Sequence, residues 1–142
     1  MKIEKLMVKN VVTVPSNVQV DKALKLMNEN RIGCLLVVDY DQTTGILTRR
    51  DIFEKVMEKR NDPQKTKISE VITKNVRVGT PNMELTGAAK LMFENKVKKL
   101  PVVDDRRLVG LVTLTDIAHA ASVDKKTVQL VEKLSNLYAI KL

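Results

Sequence analysis

A chain of 142 residues and 16.0 kDa has room for one compact domain or two small fused halves. With 44% hydrophobic and 30% charged residues it reads as globular, and no apolar run reaches the ~18 residues of a membrane span. One cysteine, Cys34, excludes an internal disulfide; one histidine, His119, excludes His/Cys metal clusters; a net charge of +8 favours an anionic partner, whether nucleic acid, a membrane surface or a phosphorylated small molecule.

The opening MKIEKLMVKN has neither an apolar signal core nor a small-residue cleavage site, so the expected location is cytoplasmic. Ile3, Leu6 and Met7 then mark a short amphipathic turn, and a brief extended piece ends at Pro15. Val20, Ala23, Leu24 and Met27 step by three and four, which predicts a helix. Residues 34–38 form a continuous apolar strand, residues 39–44 an acidic turn, and a second strand includes Ile46 and Leu47. Another helix starts near Arg49, and a polar stretch containing Asn61, Asp62 and Pro63 ends the series. With 3% aromatics and no Trp, the core is expected to be aliphatic.

The series is then written again. Shifting the sequence by 65 positions lays KNVVTVPSNVQVDKALKLMNEN over KNVRVGTPNMELTGAAKLMFEN, LLVVD over LPVVD, and GILTRRDI over GLVTLTDI. About twenty of some fifty paired positions are identical, without a gap. The second set of elements follows: a turn at Ile68, Val71 and Ile72, an extended piece to Pro81, and a helix through Leu85, Ala88, Ala89 and Met92. Strands over 100–103 and 108–112 flank the turn 104–107, and the last helix starts near Leu114. The boundaries read as 1–60 for the first repeat, 61–66 for a linker, 67–121 for the second repeat and 122–142 for a helical tail. That tail carries Val123, Val128, Leu130, Val131, Leu134, Leu137 and Tyr138 on an amphipathic helix beginning near Asp124. It either covers its own module or swaps onto a second subunit, with a dimer contact the favoured expectation.

Each half is thus β-α-β-β-α and too small to bury both faces of its sheet alone. The economical fold is α/β (α+β): two repeats packed with pseudo-twofold symmetry, with a cleft where they meet.

The doubled β-α-β-β-α unit with G-h-h-T-x-x-D at the start of its last helix resembles the CBS domain, and the tandem resembles a Bateman module. The resemblance covers roughly residues 2–121. It implies a regulatory, non-catalytic module that binds an adenosine nucleotide (AMP, ADP, ATP) or S-adenosylmethionine in the cleft. It also implies a homodimer and control of a separate partner protein.

Two readings of the motif stand side by side. Thr48 with Asp51, and Thr113 with Asp116, have the spacing of a helix capping box. The same groups suit a nucleotide: a Thr hydroxyl donates to phosphate at the positive end of a helix, and a carboxylate accepts from a ribose diol. Arg49 and Arg50 fill the variable positions in the first copy and could fork onto phosphate; Leu114 and Thr115 fill them in the second. Before the central strand the charges reverse, with Lys98 and Lys99 where the first copy has Gly33 and Cys34. By the resemblance, residues before that strand reach ligand phosphates; the alternative is a solvated basic edge. The resemblance likewise places adenine against Thr13, Val14, Pro15 and Ile32, or Val78, Gly79, Thr80, Pro81 and Val97, with Gly79 allowing close backbone approach. Pro15 and Pro81 also serve as punctuation before a helix.

Other signals are set aside. Cys34 reads as a small buried hydrophobe, His119 as a surface residue, and Asp104-Asp105 as turn chemistry. With no Walker loop, no G-x-G-x-x-G and no metal spacing, neither catalysis nor a metal is expected. Nucleic acid is the runner-up partner, although basic residues come as scattered pairs without interleaved aromatics. A ligand-independent interaction module is the third reading.

Overall fold

The computed structural model describes residues 1–122 and 125–138, and for 127, 131, 134, 135, 137 and 138 the backbone only. Elements follow the expected order. The first series is β1 (Thr13–Val14), α1 (Val20–Asn30), β2 (Cys34–Asp39), β3 (Gln42–Thr48) and α2 (Arg49–Ile52), which continues as a widened π turn over Phe53–Met57. The second is α3 (Leu85–Glu94), β4 (Lys99–Asp104), β5 (Arg107–Thr113), α4 (Leu114–Ala121) and α5 (Lys125–Tyr138). Short 3-10 turns at Ile3–Lys5 and Ile68–Glu70 precede the two series.

The expected loops tighten on both sides. Asp39 pairs with Gln42 and Asp104 with Arg107, leaving two-residue hairpin turns. Tyr40 and Asp41, like Asp105 and Arg106, take positive φ, as a turn matched to strand twist requires. Residues 42–44, read as loop because they are polar, are strand with a bulge opposite Val37–Val38.

Two compact units divide the chain, and the division does not run between the repeats. One unit is residues 11–76; the other joins residues 1–10 to residues 77–142. The leading segment of each repeat is therefore built into the body of the other. In the 11–76 unit, Ile68 is fully buried in a core with Val20, Ala23, Met27, Leu35 and Val37. In the other unit, Ile3 is fully buried among Leu85, Met92, Phe93, Leu100 and Val112. Phe93 is the aromatic exception in a core otherwise aliphatic, as expected.

Hydrogen bonds repeat the exchange. Neither Gln19 nor Glu84 caps its helix with a side chain. Instead the Val20 and Asp21 N–H groups donate to the carbonyls of Thr66 and Pro63, and the Leu85 N–H donates to the carbonyl of Met1. A helix start left with free N–H groups is costly when covered, so these borrowed carbonyls fix where the exchanged segment lies. Further on, Ile46 and Thr73 exchange both backbone hydrogen bonds, and so do Val8 and Leu111. Each segment thus borders the second strand of its adopted unit, while the extended piece borders the other side. There β1 runs parallel to β2, and Gly79 makes a parallel bridge to Val102.

This passage explains the glycine of the repeated motif. A Cβ on Gly45 would lie 2.9 Å from the Thr73 carbonyl oxygen, and one on Gly110 would lie 3.0 Å from that of Val8. Both carbonyls belong to the exchanged segments, and both accept from the adjoining strand. The tail helix α5 packs on α3 and α4 of its own unit, with Leu130 against the core. This favours the covering role of the two offered for the tail. Val123 and Asp124, and the side-chain directions expected of Val131, Leu134, Leu137 and Tyr138, lie outside the described residues.

Ile68→Ala and Ile3→Ala should each cost about 2–5 kcal/mol of stability. Hydrogen exchange locates the effect: Ile68→Ala should deprotect α1, and Ile3→Ala should deprotect α3. Loss confined to the repeat that carries the substitution would contradict the exchange. Gly45→Ala and Gly110→Ala should each cost about 1–3 kcal/mol, read from denaturant midpoints, because the facing carbonyl cannot retreat without breaking its pairing.

Candidate functional site

The two T-x-x-D motifs fold as reciprocal caps. Thr48 Oγ1 accepts from the Asp51 N–H at 3.0 Å while Asp51 Oδ2 accepts from the Thr48 N–H at 3.0 Å. In the second copy the corresponding distances are 3.1 Å and 3.0 Å. The capping reading is therefore right for both copies. It does not use up the side chains: each Thr hydroxyl accepts in the cap and keeps its hydrogen to donate, and each carboxylate commits only one oxygen to it.

The helix start is less open to an anion than a bare terminus. The first helical N–H is taken by the strand before it: Arg49 donates to Gly33 O at 3.0 Å, and Leu114 donates to Lys98 O at 2.9 Å. Those bonds join two parts of the motif that stand 16 residues apart in each copy. In the second copy Lys99 lies directly opposite Thr113 on the antiparallel ladder, so their side chains leave the same face. In the first copy the residue opposite Thr48 is Cys34, which is buried as expected.

Both arginines of the first copy have internal partners. Arg49 Nη2 donates to Asn28 Oδ1 at 2.8 Å, and Arg50 Nε donates to Glu54 Oε1 at 2.8 Å. The Glu54 carboxylate raises the Arg50 pKa further. Lys98 is exposed and Lys99 half-buried, and neither is ion-paired among the described residues.

The extended pieces serve structure as well as any ligand. Val14 is buried, whereas Thr13 and Pro15 are exposed beside it. Ile32 and Val97 are half-buried and pack on the cores of their units. At Gly79 the close approach is made by Leu100 and Ile3: an added Cβ would meet their methyl groups at 3.0 and 3.2 Å. Thr80 donates its hydroxyl to Asn82, and the Pro81 carbonyl accepts from Glu4 N–H of the exchanged segment. Val78 is exposed, and His119 is exposed on α4.

Sequence reasoning missed Lys55. Its ammonium lies 3.5 Å from Asp51 Oδ1 and donates to the Val71 carbonyl at 3.0 Å. The signal was present as an Asp-Lys pair at i,i+4, the spacing that brings side chains together on a helix. The residue 65 positions on is Ala120, so Asp116 has no such partner. Asp39 was missed as well. Its carboxylate accepts from the Ser16 N–H at 3.0 Å and the Thr44 hydroxyl at 2.9 Å, pinning the segment after Pro15.

These paired motifs match the family model described as CBS domain over residues 3–58 and again over 68–123. The chain belongs to the CBS domain family. CBS pairs are regulatory modules. The chain is 36% identical over 116 residues to the CBS domain-containing protein YhcV of Bacillus subtilis, covering 82% of each. Among solved structures it resembles the CBS domain protein TA0289 of Thermoplasma acidophilum, with a TM-score of 0.79 and 30% identity over 96% of this chain and 76% of that one. It also resembles the CBS domain pair of protein MJ0100 in complex with 5-methylthioadenosine and S-adenosyl-L-methionine, with a TM-score of 0.76 and 30% identity. That match covers 86% of this chain and 96% of the other. No helix among the described residues is long and apolar enough to cross a membrane.

The Ser16 N–H beside Asp39 holds its carboxyl below the usual range. A depressed carboxylate pKa stabilises the fold above the unfolded value of about 3.9 and ceases to do so as pH falls through the folded value. The stability difference between the native chain and Asp39→Asn should hold steady from about pH 7 to 5 and shrink below about pH 4. Urea unfolding at stepped pH measures it; a difference that grows on acidification would refute the assignment.

Proposed function

We propose that this CBS pair is a ligand sensor that holds an adenosine-containing molecule at a T-x-x-D helix start and thereby controls a separate partner protein. One observation carries the reading: the second cap leaves a Thr hydroxyl hydrogen and a carboxylate oxygen uncommitted, and Lys99, which has no carboxylate partner among the described residues, leaves the same face of the ladder as Thr113. The hydroxyl and the ammonium groups suit a phosphate or another anionic group, and the carboxylate suits the two hydroxyls of a ribose. Hydrogen bonds to a charged group are worth about 1.5–3 kcal/mol each, enough that two or three decide micromolar recognition. Exposed surfaces at Thr13 and Pro15, or at Val78 and Thr80, offer the adjoining apolar and backbone contacts for adenine. The complex of the MJ0100 pair with two adenosine compounds supports the ligand class.

The partner and the homodimer belong to the same proposal. Phe53 and Met57, 58% and 55% exposed on the turn after α2, give such a contact an apolar face. The ligand's energy of binding, delivered beside the exchanged segments, would shift the balance between arrangements that grip the partner differently.

Thermal unfolding at fixed salt tests the reading with AMP, ADP, ATP, S-adenosylmethionine, GTP and inorganic triphosphate. A ligand that binds only the native state at a hundredfold excess over Kd adds about 2.7 kcal/mol. Stabilisation by adenosine compounds and not by triphosphate is the expected result. Equal stabilisation by triphosphate would mean that the surface reads charge alone, and would favour nucleic acid. No stabilisation by any of them would favour an interaction module that senses nothing.

A further inference from the structure

The two copies share a motif but differ in what already occupies it. Around Asp51 the charged side chains from Arg49 to Lys55 all have internal partners. Its Oδ2 accepts from the Thr48 N–H, and its Oδ1 faces the Lys55 ammonium at 3.5 Å. The carboxylate is only 14% exposed, so a diol arriving there must displace or share that ammonium. Arg50 is committed to Glu54, and Arg49 to Asn28.

Around Asp116 the same positions are open. Ala120 stands where Lys55 stands in the first copy, and Leu114 and Thr115 replace the two arginines. Asp116 Oδ2 accepts from Thr113 N–H, and its other oxygen has no hydrogen bond or ion pair among the described residues. Lys98 and Lys99 supply two cations without carboxylate partners among the described residues, and Lys99 emerges beside Thr113. The acceptor for a diol and the cations for an anionic group are thus both present at the second copy. The first copy has spent its own on internal contacts.

We infer that the copies are unequal as ligand sites: the Thr113–Asp116 copy takes the adenosine compound, and Lys55 acts in the Thr48–Asp51 copy as a built-in occupant that keeps it closed. This rests on the adenosine-binding reading above. Lys55 also bonds to the Val71 carbonyl of the exchanged segment, so its ammonium is held in place and not merely nearby.

Calorimetric titration of the full chain with S-adenosylmethionine, AMP and ATP reads both stoichiometry and affinity. The native chain should bind one molecule per chain. Asp116→Asn, which keeps a cap acceptor but loses the charge, should weaken binding by roughly tenfold or more. Asp51→Asn should leave Kd and stoichiometry unchanged. Lys55→Ala should raise the stoichiometry from one towards two, a gain that a misfolded variant cannot imitate. Two equal sites in the native chain, sensitivity to Asp51→Asn in place of Asp116→Asn, or a Lys55→Ala chain that still binds one molecule would overturn the inference while leaving the adenosine reading intact. No binding of any of the three compounds to the native chain would overturn both.

Discussion

The structure depends on an exchange of leading segments. Ile3 and Ile68 occupy equivalent places in the repeats, yet each is buried in the body of the other repeat. Just ahead of them, Met1 O accepts from the first N–H of α3, and Thr66 O and Pro63 O accept from the first N–H groups of α1; the segments then run on to pair with the second strand of the adopted sheet. The motif glycines exist for that passage, because any side chain there would strike a backbone oxygen. A contact made by main chain against main chain leaves little freedom to relax, and the strands and helices around it are positioned accordingly.

Much of this was legible in the sequence. The repeat gave element order, and three-and-four spacing in each copy marked the first helix of the series, here α1 and α3. The T-x-x-D spacing identified both caps. The exchange was not legible, for a simple reason: when two segments share the same residues at Ile3 and Ile68, their hydrophobic pattern cannot say which body each one fills. The need for the motif glycines was not legible either, since the carbonyl oxygens that demand them lie about 28 residues later in one copy and about 102 earlier in the other. Polar Gln42, Thr43 and Thr44 looked like loop because the strand they form is short of apolar residues. For Arg49 and Arg50 the sequence shows two charges and not the Asn28 and Glu54 they bond to.

The site shows how one short motif can hold structural and recognition roles together. A hydroxyl has both a donor and acceptors, and a carboxylate has two oxygens. Capping takes one capacity from each and leaves the other. After duplication, the cap constrains both copies equally, while the surroundings are free to diverge. Here the divergence is in charge: guanidinium groups with internal partners in one copy, and in the other ammonium groups without carboxylate partners among the described residues. Fold and capping chemistry are thus shared, and the difference between the copies lies in which charges are already matched.

The borrowed leading segments also bear on the order in which the chain can acquire structure during synthesis. The unit formed by residues 11–76 is continuous, so every part of it has been made once residue 76 is available. The other unit is split, and Ile3 must wait for Leu85, Leu100 and Val112 before its core exists. A segment made before the 11–76 unit thus finds its place only after that unit is complete, and the closure of that long loop is entropically costly. Until then an amphipathic turn with a side chain destined for full burial remains in solvent beside an already folded neighbour, where a chaperone or another nascent chain meets it first.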